Sequence, residues 1–132
     1  MHILKCESSF DAAHFLTNYE GKCKNIHGHR WRVILSITGE NENGMVVDFT
    51  IIKKDLKELC DYFDHSFIVE KDSLKPELFN MLNEEFLLRV VPFRTTAENF
   101  SKYFYDKLSK KYNVVEVEVY ETPNNSARYL CK

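Results

Sequence analysis

The chain has 132 residues, 44% of them apolar and 29% charged, with a net charge of −2. That size is one domain with a modest core, and so balanced a charge gives no reason to expect nucleic acid or an anionic membrane as partner. No apolar run approaches the roughly 18 residues that span a bilayer, and Lys5, Glu7 and Asp11 interrupt any signal-like segment near the N-terminus.

The expected location is therefore cytoplasmic. Cys6, Cys23, Cys60 and Cys131 are widely spaced, with no C-x-x-C pair, and in a reducing compartment they are expected as free thiols. Cys6 and Cys60 fall in apolar patterns that suit a core, and Cys131 falls at a fraying terminus. Seven Tyr and ten Phe offer aromatic surface for interfaces as well as a core.

Residues 2–14 read as a strand, and residues 15–26 as a polar loop containing Gly21. Residues 27–38 alternate: His27, His29, Trp31, Val33, Leu35 and Ile37 share one face. Residues 40–44 form a turn leading into Met45, Val46 and Val47. Asp48 is placed to cap a helix over 49–62, in which Ile52, Leu56, Leu59, Cys60 and Phe63 recur at helical spacing. Between residues 66 and 94 the pattern is weakest, with a short helix at 76–82 and a strand at 87–93. Thr95-Thr96-Ala97-Glu98 fits a capping box opening a helix over 96–110, with Phe100, Phe104 and Leu108 on its buried side. Residues 114–121 alternate again, placing Val115, Val117 and Val119 on one face. A turn at 123–125 precedes a final strand at 127–131. Antiparallel strands with helices on one face give an α+β two-layer domain.

The chemistry concentrates early. His27 and His29 are two residues apart, so a strand turns both imidazoles to one side, and His14 can supply a third nitrogen from a neighbouring strand. Three imidazoles without an obvious fourth protein ligand is the pattern of a catalytic zinc with an open position. Cys23, flanked by Lys22 and Lys24, sits where positive charge favours thiolate, a base or nucleophile beside a metal-bound substrate. The adjacent Asp64 and His65 suit a proton relay, or else a helix-end histidine beside a solvated acid. Parity carries Glu121 onto the Val115–Val119 face, where an acid at the end of a buried stripe would meet the N–H donors of a ligand. If the strand ends earlier, Glu121 is solvated.

Six ordered motifs resemble the family of 6-pyruvoyl-tetrahydropterin and 6-carboxy-tetrahydropterin synthases. They are Phe10-Asp11-Ala12-Ala13-His14; Cys23 to His29; Gly44-Met45-Val46-Val47-Asp48-Phe49; Asp64-His65; Thr96-Ala97-Glu98-Asn99; and Tyr120-Glu121-Thr122 with Ala127 and Tyr129. The resemblance implies zinc held by His14, His27 and His29, Cys23 as catalytic base, and Asp64 and His65 as the second proton-transfer group. It also implies Glu121 as anchor of a pterin substrate, with Thr96 and Glu98 supporting the same pocket. It implies the tunnelling fold: a four-stranded antiparallel sheet with two helices on one face, assembled as an oligomeric barrel. Two trimers stack into a homohexamer with active sites between subunits. The short 15–22 loop and the Gly-Met-Val-Val-Asp-Phe and Thr-Ala-Glu-Asn forms look more like the bacterial carboxy branch, which serves queuosine biosynthesis. The chain departs from the family pattern at Phe67-Ile68-Val69, in its longer 66–94 connector, and at Thr95, where proline is common. The rivals are the pyruvoyl-forming branch and a non-catalytic zinc domain whose site Cys23 closes.

Overall fold

The computed structural model describes residues 1–130; Cys131, expected at a frayed terminus, lies outside them. The chain order is β1 (Ile3–His14), a short 3-10 turn (Lys22–Lys24), β2 (His27–Thr38), α1 (Phe49–Phe63), β3 (Ser66–Glu70), α2 (Pro76–Glu85), β4 (Leu88–Val91), α3 (Ala97–Leu108), β5 (Asn113–Thr122) and β6 (Asn125–Leu130). One sheet carries the six strands in the order β4-β3-β1-β2-β5-β6.

The four longest strands, β1, β2, β5 and β6, pair antiparallel. The sheet implied by the resemblance stops there. The structure adds two short strands, β3 parallel to β1 and β4 parallel to β3, so the sheet is mixed and six-stranded. β4 falls within the strand expected at 87–93, and α2 begins where the short helix at 76–82 was expected, giving three helices where the resemblance implied two. The additions come from the 66–94 connector. β3 has an apolar centre of three residues, Phe67-Ile68-Val69, and no residue of the strand is exposed; such runs lack the alternation that marks a half-exposed strand. Met45–Val47 form no strand; Met45 only bridges back to Glu42.

α1 and α3 cover one face of the sheet. α1 lies against β1, and α3 against β5 and β6. Their buried residues, including Ile52, Leu56, Phe63, Phe100 and Phe104, join Phe10, Trp31, Val33, Leu35 and Ile37 of the sheet in a single core. Each such side chain removed from water contributes roughly 1.5–3 kcal/mol. α2 buries no residue and stands outside this core. Asp48 caps α1 as expected, accepting from the Thr50 amide at 2.8 Å. The cap of α3 is displaced by one residue: Thr96, not Thr95, accepts from the Asn99 amide at 3.2 Å. Glu98 is then too close to the helix start to close a capping box.

β5 carries two irregularities. Ser36 faces Glu116 while Ile37 faces Val114, so Val115 is an inserted residue and Val114, 7% exposed, takes the core position expected for Val115. Across β6, Tyr120 faces Ser126 and Thr122 faces Asn125, which makes Glu121 the extra residue of a second bulge.

Candidate metal centre and adjoining clefts

β1 ends at His14 and β2 begins at His27, and the antiparallel register sets them directly opposite, with Ala12 opposite His29. Cross-strand partners on one face lie about 4.5–5.5 Å apart, so the three imidazoles converge. Their ring centroids are 4.6 Å (His14–His27), 4.8 Å (His27–His29) and 5.3 Å (His14–His29) apart. Trp31, fully buried, meets His14 and His29 edge to face and closes the cluster off from the core.

The bulge at Glu121 brings its carboxylate to the same point. Oε1 lies 3.3 Å from Nε2 of both His14 and His29. One ligand atom from each of His14, His27, His29 and Glu121 falls within 4.8 Å of all the others. All three Nε2 atoms are buried and make no hydrogen bond. A buried polar atom without a partner costs roughly 1–3 kcal/mol, a cost that a cation at this point would relieve. Imidazole and carboxylate donors suit zinc. The carboxyl of Glu121 is held below its usual range, first by the contact with His14 and then by His29 and His27, with burial opposing. Burial pushes the His29 imidazole down, aided by His14 and His27 and opposed by Glu121.

Two contacts to the histidines were not visible in the sequence pattern. His27 Nδ1 lies 2.7 Å from the Asn25 carbonyl oxygen. His14 Nδ1 lies 2.9 Å from Thr95 Oγ1, a buried contact across 81 residues.

Asp64 and His65 lie at the end of α1, on the far side of β1. Asp64 Oδ1 accepts from the Asp11 amide at 2.8 Å, and Asp64 Oδ2 lies 2.8 Å from His65 Nδ1. The bond from Asp11, more than His65, holds the Asp64 carboxyl below its usual range. His65 has a left-handed backbone, φ 58°, an uncommon state for a non-glycine residue. Its amide is pinned to the Asp11 carbonyl at 2.6 Å. The ring is exposed and shares a shallow depression of about 400 Å³ with His29, Asp11 and Arg30. A larger cleft, about 570 Å³, is lined by Glu121, His29, Tyr120, Arg30 and Arg32 among others. The two meet at Gly28, His29 and Arg30.

Cys23 sits half-buried on the 3-10 turn, its carbonyl accepting from the Leu16 amide at 2.8 Å. It is not one of the groups clustered with the histidines; the fourth is Glu121. Thr96 is engaged in capping α3, and Glu98 is exposed on the first turn of that helix. Neither lines either cleft.

The sequence model of the 6-pyruvoyl tetrahydropterin synthase family matches residues 3–131. A 6-carboxy-5,6,7,8-tetrahydropterin synthase of Haemophilus influenzae is 33% identical, over 93% of this chain and 94% of its own length. One from Synechocystis is 32% identical, over 98% and 94%. Among solved structures, a 6-pyruvoyl tetrahydropterin synthase of Caenorhabditis elegans superposes with a TM-score of 0.71 at 28% identity, covering 100% of this chain and 98% of that one. A Plasmodium vivax 6-pyruvoyltetrahydropterin synthase altered at a catalytic residue gives 0.78 at 25%, covering 97% and 96%.

Proposed function

The chain belongs to the 6-pyruvoyl tetrahydropterin synthase family, and from that premise we propose that it is a zinc-dependent 6-carboxy-5,6,7,8-tetrahydropterin synthase. The reaction takes 7,8-dihydroneopterin triphosphate and water to 6-carboxy-tetrahydropterin, acetaldehyde and triphosphate, on the route to queuosine. The observation that carries the reading is the end-to-end similarity to bacterial enzymes of that name. The convergence of His14, His27, His29 and Glu121 supports it independently.

His14, His27 and His29 would hold the zinc, which when bound supplies a Lewis acid that polarises substrate oxygen and acidifies the neighbouring carbon. Cys23 takes the proton as base, and the Asp64–His65 pair serves the second proton transfer, Asp64 fixing the ring through Nδ1. The Asp11 amide holds the other oxygen of Asp64, so this pair cannot swing freely. Glu121 accepts from the N–H edge of the pterin in the larger cleft, which fixes the reacting carbon in register. Thr96 and Glu98 support the pocket once subunits assemble. The assembly is a homohexamer built as stacked barrel trimers, with Cys23 completing its site at a subunit boundary. No helix among the described residues is long and apolar enough to cross a membrane; the enzyme acts in the cytoplasm on a small-molecule partner, without nucleic acid.

The second reading is the pyruvoyl-forming reaction, favoured by the names of the solved structures. Incubation with dihydroneopterin triphosphate separates the two. Acetaldehyde with the mass of the carboxy-pterin is the expected outcome, and a pyruvoyl-pterin mass without acetaldehyde overturns it. Cys23→Ala should keep bound zinc while turnover falls roughly 10²–10⁴-fold. Loss of zinc instead would make the thiol a ligand and favour the closed, non-catalytic site.

A further inference from the structure

We infer that Thr95 is a positioning residue that locks His14 in the tautomer whose Nε2 faces the metal centre. The inference rests on the reading of His14, His27 and His29 as metal ligands. Thr95 is 1% exposed and His14 0%, so neither exchanges its partner for bulk water.

The hydrogen-bond inventory decides the tautomer. Thr95 Oγ1 lies 2.9 Å from His14 Nδ1 and 3.2 Å from the Phe15 carbonyl oxygen. A carbonyl only accepts, and a hydroxyl carries one proton. That proton therefore goes to Phe15, and an oxygen lone pair is left facing Nδ1. Nδ1 is then the protonated nitrogen of His14. Nε2 lies 3.3 Å from Glu121 Oε1 but makes no hydrogen bond to it, and its lone pair is directed at the point where the four groups converge. His27 reaches the same state by another route, its Nδ1 facing the Asn25 carbonyl at 2.7 Å. An outer partner of this kind fixes ring orientation and raises the basicity of the ligating nitrogen.

Thr95 is itself held in place. Arg94 Nε donates to the Thr17 carbonyl at 3.1 Å, and Asn99 Nδ2 to the Arg94 carbonyl at 2.9 Å. The segment entering α3 is thus tied to the chain leaving β1 through Arg94 and held against its own helix through Asn99. The two second partners differ in one respect that makes the inference testable. Asn25 acts through its main chain, which no substitution removes, whereas Thr95 acts through a side chain.

The experiment titrates metal-free protein with zinc alone against a chromophoric chelator. Thr95→Val keeps the shape and removes the hydroxyl; zinc affinity should fall roughly ten- to a hundredfold. Thr95→Ser restores the hydroxyl and should bind as the parent does. Histidine ¹⁵N spectra of the metal-free parent should show His14 protonated at Nδ1. Equal zinc affinity in the parent and Thr95→Val overturns the inference alone. A parent that binds no zinc overturns the metal reading and the inference with it. Should Thr95→Val fail to fold, an Nε2-protonated His14 in the parent is the overturning result.

Discussion

One face of the β1–β2 ladder has two ends built to different rules. At one end Cys6, Val33, Leu35 and Ile37 are buried against α1 and α3 with every apolar surface covered. At the other, His14, His27 and His29 present three buried nitrogens that make no hydrogen bond, two of them 3.3 Å from the Glu121 carboxylate. The strands, the face and the register are shared; only the side chains change, with Trp31 at the boundary. Close packing at one end gives the other its precision, because the imidazoles are set by a register that the apolar end enforces. The thiols divide the same way: Cys6 and Cys60 are buried at the packed end, and Cys23 is half-exposed near the open one.

The largest test of this contrast is the boundary. Trp31→Ala should cost about 3–5 kcal/mol in denaturant unfolding of the metal-free protein. It should also loosen His14 and His29, which the indole contacts. A loss below about 1 kcal/mol would show that the two ends are not mechanically joined.

Alkaline unfolding probes the packed end next. Burial pushes the Cys60 thiol up to about 12 from an ordinary 9.0. A group with a raised folded value contributes its full stability below the unfolded value and loses it as pH climbs through the folded one. Stability should therefore decline from pH 9 toward pH 12, by about 3 kcal/mol at pH 11 on account of this thiol. Tyr103 and Tyr112 are raised by burial too, so the measurement is the difference in slope between the parent and Cys60→Ala. Identical slopes would mean that Cys60 ionises without cost and is not packed as described.

The open end should behave oppositely. With zinc at a hundredfold over its dissociation constant, binding stabilises the folded chain by about 2.7 kcal/mol. His27→Ala should lose that increment, read as the thermal shift on adding zinc. A full shift in the variant would remove His27 from the ligand set. Last, Glu121→Gln should weaken pterin binding to the zinc-loaded protein by about 1.5–3 kcal/mol, roughly ten- to a hundredfold by calorimetry. Unchanged affinity would reduce Glu121 to a neighbour of the histidines.

What the sequence made legible follows from strand periodicity. β2 alternates cleanly from His27 to Val33, so parity alone puts His27 and His29 on the core face, and β1 ends where His14 can meet them. The helices at 49–62 and 96–110 were visible for the matching reason, an apolar stripe with a cap. What was hidden depends on long-range packing. Thr95 meets His14 across 81 residues, and no local pattern distinguishes that threonine from the N-cap beside it. A strand was read where β4 lies, but β3 was not, and its parallel pairing with β4 across an intervening helix leaves no local alternation to read. Val117 and Val119 are buried as expected, and Glu121, two residues on, reaches the histidines from a second bulge. Val115 is the position that parity misjudged: a bulge moves its core place to Val114.

That bulge bears on how the chain tolerates insertions and deletions. Losing one residue at Val115 would straighten β5 while leaving Val114 and Val117 on the faces they already occupy, since an extra residue is removed from a pair that already has one too many. Losing one between Val117 and Glu121 would turn Glu121 away from the histidines, because each single step exchanges the two faces of a strand. Length variation in β5 should thus be permissible over a short stretch at its start and prohibited a few residues later, with the dividing line set by the register of one ladder rather than by any contact to the site.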